Sequence, residues 1–169
     1  DSLIDALTGL LLGLAPGELA GVLPADLGAL AQVFPVLRRV AAIAEACPDC
    51  RPGEADALRR RHASAALQDL LRRLGERAPL VLVIDDVQWT DGDSAAMLAE
   101  LLLGPGAPRC LVVLGASFDD VAASPELAAT LARLRAAALP IREVVLGPLR
   151  AEQAAALAES LLRRGAAEA

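Results

Sequence analysis

The chain has 169 residues, enough for a domain with its own core, and 55% of them are hydrophobic, above the ~45–50% usual for soluble domains. The excess is Ala and Leu, with 2% aromatics and no Tyr, a composition suited to helices with small, close-packed faces. A net charge of −6 disfavours nucleic acid as a direct partner, and no uncharged apolar run reaches the ~18 residues of a membrane span. Residues 3–15 come nearest, but Asp5, two glycines and the shortness of the run argue against a span, and no basic region precedes it as in a signal peptide. No membrane partner is expected, and a cytoplasmic location is the expectation.

In chain order, Leu3, Ile4, Leu7, Leu10, Leu11 and Leu14 lie at helical spacing over residues 2–14, and Pro16-Gly17 ends that helix. A short helix is expected over 17–22, and another after Asp26, broken before Pro35. Val36, Leu37, Val40 and Ile43 continue the helical pattern to Ala46. Residues 47–53 read as a loop, and 54–75 as a longer helix with Leu67, Leu70, Leu71 and Leu74 inward and Gly75 as its stop. Leu80 to Asp86 reads as a strand buried on both faces, as in parallel sheets covered by helices. Asp91 or Asp93 caps the next helix, which runs through Met97, Leu98, Leu101 and Leu102. Residues 104–108 turn the chain into a second strand, Cys110 to Ala116. Ser124-Pro125-Glu126 opens a helix with Leu127, Leu131 and Leu134 inward. Ile141 to Leu146 is expected as a third strand, and 151–164 as a last helix with Ala154, Leu157 and Leu161 inward. The expected fold is α/β in a single domain: a helical part over 1–75, then about three parallel strands flanked by helices over 76–169.

Cys47-Pro48-Asp49-Cys50 has the spacing of a zinc or redox pair. Zinc needs about four ligands and no second pair exists. Cys110 and His62 are the remaining candidates, and nothing in the sequence places them together. A loop between helices is the expected reading. Arg59-Arg60-Arg61-His62 falls in an expected helix and reads as a solvated face; His62, the sole histidine, has no nucleophile motif near it. All basic residues are Arg, and the sequence contains no Lys.

The chemistry concentrates at Asp85 and Asp86, two adjacent carboxylates at the end of an apolar strand. In open α/β sheets ligands sit beyond the carboxyl ends of the strands. Two acids there repel each other, and a cation offsets the repulsion. A receiver-type phospho-acceptor needs its acids after the first strand and a Lys near the end. An aspartyl-phosphate phosphatase needs Asp-x-Asp. The magnesium-nucleotide site of a P-loop NTPase fits best: one acid holds Mg²⁺, through water, and the next orients the attacking water. A purely structural alternative is an acid pair that caps the following helix.

Leu80–Ser94 resembles the Walker B segment of the signal-transduction ATPases with numerous domains, a branch of the AAA-like P-loop NTPases. Asp85, Asp86, Val87, Gln88, Trp89, Thr90, Asp91 and Ser94 carry the likeness. Leu27–Leu37, with Phe34-Pro35, resembles the helical stretch before Walker B. Arg142–Leu149, with Glu152 onward, resembles the strand, Gly-Pro-Leu turn and helix near that domain's end. The resemblance implies ATP and Mg²⁺ as ligands of the complete domain and a fused effector domain, a serine/threonine kinase or a LuxR-type regulator, as partner. It implies Asp85 as the magnesium-side carboxylate and Asp86 as the catalytic residue that positions water. Gln88, Trp89 and Asp91 would stabilise the turn and the nucleotide side, and Trp89 serves equally as a packing anchor. Ser117 would stand as a sensor of the terminal phosphate, without the Arg that usually follows.

A phosphate-cradling loop needs G-x-x-x-x-G-K-[ST], and no stretch here matches. An excised fragment beginning after that loop is expected, inactive alone. Its sheet would lack an inner strand, so a remodelled three-stranded sheet or self-association through strand edges is expected. The alternative function is a non-enzymatic interaction scaffold on an NTPase-like fold.

Overall fold

The computed structural model describes residues 2–46, 56–117 and 124–167, and the chain divides into two compact units, residues 1–139 and 140–169. In the first unit the N-terminal helices follow the apolar spacing. Helix α1 (Ser2–Leu12) buries Ile4, Leu7 and Leu11. Helix α2 (Pro16–Val22) opens on a proline, where the missing N–H costs nothing, and Glu18 accepts from the Ala15 N–H at 3.2 Å. Helix α3 (Leu27–Val33) is capped by Asp26, whose carboxylate accepts from the Ala29 N–H at 2.9 Å. The expected continuous helix to Ala46 is instead two pieces, a 3₁₀ turn over Pro35–Arg39 and helix α4 (Ala41–Ala46), because Val40 is extended between them. The Cys47–Cys50 loop lies outside the described residues.

Helix α5 (Asp56–Arg77) is the axis of this unit. Ala63, Ala66, Leu67, Leu70, Leu71 and Leu74 form its buried side, and α3 lies along it. With Leu11, Leu30, Leu37 and Ile43 they make the core. Gly75 does not stop the helix, which runs on to Arg77. A Cβ on Gly75 would sit 3.0 Å from the Arg109 carbonyl oxygen, so the glycine lets the incoming backbone of the second strand approach. Arg77 then pairs with Glu18 at 3.0 Å and ties the end of α5 to α2.

Strands β1 (Leu80–Ile84) and β2 (Cys110–Leu114) pair in parallel, Leu80 opposite Cys110 through Ile84 opposite Leu114. Helix α6 (Gly92–Leu103) makes the crossover that a parallel pair requires. Both strands end two residues earlier than expected. Their burial also differs from the expectation of two covered faces. Leu82 faces the core while Val83 is 65% exposed, and Leu111 and Val113 are exposed beside it. Among the described residues of this unit, helices cover one face only, so the run alternates as a half-buried strand does. Helix α7 (Pro125–Ala136) follows, capped by Ser124 and held to α6 by a buried hydrogen bond from Thr130 Oγ1 to the Ala95 carbonyl at 3.3 Å. Leu127 and Leu134 are buried and Leu131 is half-buried.

In the second unit, residues 140–150 are irregular and exposed, so the expected third strand over 141–146 is not formed and the described sheet has two strands. A β-branched apolar run becomes a strand only when a neighbour supplies a hydrogen-bonding ladder, and among the described residues Ile141–Leu146 has none. Helix α8 (Ala151–Ala167) closes the unit, with Leu157 and Leu161 exposed rather than inward. No described helix is long and apolar enough to cross a membrane.

Candidate functional site

The acid pair lies just past the end of β1, in the connection to α6. Ile84 is the last ladder residue, and the Gly115 N–H donates to its carbonyl at 2.9 Å. Three residues on, the Val87 N–H donates to the Gly115 carbonyl at 3.0 Å. One glycine at the end of β2 therefore brackets Asp85 and Asp86 from both sides. Between the two bonds the chain must reverse direction quickly, and Asp86 takes a left-handed conformation, φ 54° and ψ 37°. Asp tolerates that region better than most residues because its short polar side chain bonds locally. A single 3₁₀ turn, Val87–Trp89, then leads to α6.

Both carboxylates are exposed. Asp85 Oδ1 accepts from the Asp86 N–H at 3.0 Å. Asp86 Oδ1 accepts from the Gln88 side-chain amide at 3.0 Å. The other amide atom of Gln88, Oε1, is buried with no donor among the described residues. Val87 is the apolar anchor of the turn, 3% exposed, and Trp89 on the same turn is 78% exposed. Trp89 therefore does not anchor the packing of this unit.

Asp91 caps α6: its Oδ1 accepts from the Ser94 N–H at 2.7 Å. The Ser94 backbone bond, then the Ser94 side chain, and then the charge of Arg60 hold the Asp91 carboxyl below its ordinary range. Asp93, in the first turn of α6, pairs with Arg60 of α5. The helix start after the acid pair is thus tied to the central helix. Both groups are substantially exposed, so the tie contributes little to stability by itself. Ser117 lies two residues beyond Gly115, exposed, at the same end of the sheet as the acids.

Among the described residues no group of three or more His, Cys, Asp or Glu is arranged to hold a metal unaided. The donor set suits a shared one. Mg²⁺ takes hard oxygen ligands, retains water, and is commonly held by one or two carboxylates together with substrate phosphates. Asp85 and Asp86 offer exposed carboxylate oxygens, and Gln88 Oε1 is a buried acceptor without a donor. Among the described residues, the cation at this corner, Arg60, is paired with Asp93.

A family model described as AAA ATPase domain matches residues 2–114, which takes in the helical part, the acid-pair connection and both strands. The chain belongs to the AAA ATPase domain family. Comparison with curated proteins and with solved structures gave no match. Members of this family bind ATP with Mg²⁺, and in this AAA ATPase domain the acid pair is the feature whose chemistry fits that use. Gly115 is the residue that sequence reasoning passed over, as a member of the second strand. Its signal was visible: a glycine inside an apolar strand run marks a place where another group approaches closely.

Proposed function

We propose that this AAA ATPase domain contributes the magnesium side of an ATP site, with Leu80–Asp86 as its Walker B segment. Asp85 holds the hydrated Mg²⁺. Asp86, itself in the left-handed conformation, orients the water that attacks the terminal phosphate. Bound Mg²⁺ supplies charge neutralisation for the phosphates. Gln88 fixes the Asp86 carboxylate, Asp91 fixes the start of α6, and Trp89 and Ser117 belong to the nucleotide side. The observation that carries the reading is the bracketed acid pair, exposed at the carboxyl end of a parallel strand.

The phosphate side requires a loop of G-x-x-x-x-G-K-[ST] type, which residues 1–169 do not contain, so these residues alone bind nucleotide weakly and do not hydrolyse it. The likeness of Leu80–Ser94 to signalling ATPases supports a role in signal transduction beside an effector domain. Calorimetric titration of Mg-ATP into the intact protein, wild type against Asp85→Ala, tests the reading. The expected result is at least about tenfold weaker Mg-ATP binding in the variant with metal-free ATP binding unchanged. Equal affinity and equal turnover would remove Asp85 from the mechanism and favour an interaction scaffold.

A further inference from the structure

The geometry points to Gly115 as a positioning residue that fixes the Asp85 carboxylate by leaving room for it. A Cβ built on Gly115 would sit far inside contact distance of Asp85 Oδ1 and 3.2 Å from Cγ, but 3.5 Å from Asp85 Cα. The last is an ordinary contact, so the two backbones need not separate. The carboxylate is what has to leave. Its Oδ1 is the atom that accepts from the Asp86 N–H at 3.0 Å, so any side chain at 115 rotates Asp85 out of that bond. The requirement is steric, since Gly115 is not a residue with positive φ.

Gly115 also makes the two main-chain bonds on either side of the acid pair, to the Ile84 carbonyl and from the Val87 N–H. Any residue except proline can make those bonds. Only glycine makes them and still leaves the space that Asp85 Oδ1 occupies. The end of β2 therefore sets both where the acid-bearing turn lies and which way its first carboxylate faces. The consequence for magnesium rests on the function proposed above; the consequence for the Asp85–Asp86 hydrogen bond does not.

The experiment is Gly115→Ala in the intact protein, read in two ways. By NMR, Asp85→Ala removes the acceptor of the Asp86 N–H and sets the amide proton position of the unbonded state. Gly115→Ala moves the Asp86 amide proton from its wild-type position to that one, while the amide of core-facing Leu82 is unchanged. By calorimetry, Mg-ATP affinity falls about tenfold and metal-free ATP affinity stays. A double-mutant cycle with Asp85→Ala covers a poorly folded single variant: with no carboxylate to displace, Gly115→Ala costs no further stability in that background.

An Asp86 amide proton that keeps its wild-type position in Gly115→Ala overturns the inference, as does an undiminished cost of Gly115→Ala in the Asp85→Ala background. A perturbed Asp86 amide with unchanged Mg-ATP affinity overturns the link to the metal. If the wild type binds ATP with no dependence on magnesium, the proposed function fails, and the position of the Asp86 amide proton still decides the role of Gly115.

Discussion

The Gln88 side-chain amide donates to Asp86 Oδ1 at 3.0 Å across the one left-handed residue of the β1–α6 connection. The backbone of Asp86 and its carboxylate are thereby fixed together: the Trp89 N–H holds the Asp86 carbonyl at 3.0 Å while Gln88 holds the side chain. Left-handed backbone costs an ordinary L-residue about 1–2 kcal/mol, and glycine escapes that cost. Asp86→Gly is therefore expected to be at least as stable as wild type, and Asp86→Ala about 1 kcal/mol less stable than Asp86→Gly in urea unfolding. Both variants lose ATP turnover in the intact protein if Asp86 orients the water. An Asp86→Ala variant as stable as Asp86→Gly would mean that the turn is not held left-handed in solution.

Gln68 supports the far end of α6. Its Nε2 donates to the Leu101 carbonyl at 3.0 Å, in the last turn of the helix, and to the Glu100 carbonyl at 3.2 Å, which also accepts from the Gly104 N–H at 2.9 Å. Gln68→Leu removes both and is expected to lower stability by about 1–2 kcal/mol in denaturant melts. Gly104→Ala has a related effect, because its Cβ would sit 2.5 Å from Gln68 Nε2 and 2.9 Å from the Glu100 carbonyl oxygen. The backbone clash makes Gly104→Ala the harder change to accommodate. A neutral Gly104→Ala would count against this packing.

Leu70 and Leu71 are both fully buried in α5 among α3 and its neighbours. Truncation of either to Ala is expected to cost about 2–5 kcal/mol, because rigid neighbours do not refill the space. Leu157→Ala and Leu161→Ala in α8, where both side chains are exposed, are expected to leave the melting of the first unit unchanged. Calorimetric scans of the four variants separate the two groups.

Acid lowers stability through at least two carboxylates. Burial pushes the Asp69 carboxyl upward, but hydrogen bonds from Arg72 and Arg73 and their charges outweigh it, and the net shift is downward. Asp91 is shifted down mainly by its bonds to Ser94. A folded-state pKa below the unfolded value of about 3.9 stabilises the fold fully above that value, and the contribution disappears as pH falls through the folded pKa. Unfolding midpoints are therefore expected to hold through neutral pH and drop below about pH 4, with a shallower drop in Asp69→Asn. A profile identical in Asp69→Asn and wild type would remove Asp69 from the acid transition.

The helices and their caps were legible in the sequence because their causes are local. Asp26, Asp91 and Ser124 each sit one residue before a helix and accept from an N–H in its first turn, and the leucines of α5 recur at the helical period. The acid pair was legible for the same reason, as two charged residues ending an apolar run. What the tertiary structure decided was everything that depends on a neighbour distant in sequence. Gly75 reads as a helix stop, but its role is set by the Arg109 carbonyl. Ile141–Leu146 reads as a strand, but without a ladder it stays irregular. Val81 and Val83 read as buried, but both are more than half exposed. Gly115 reads as one more strand residue, but it stands against Asp85, thirty positions earlier. Periodicity and capping act over a few residues and are written in the chain, whereas the space beside a carboxylate exists only once two strands have paired.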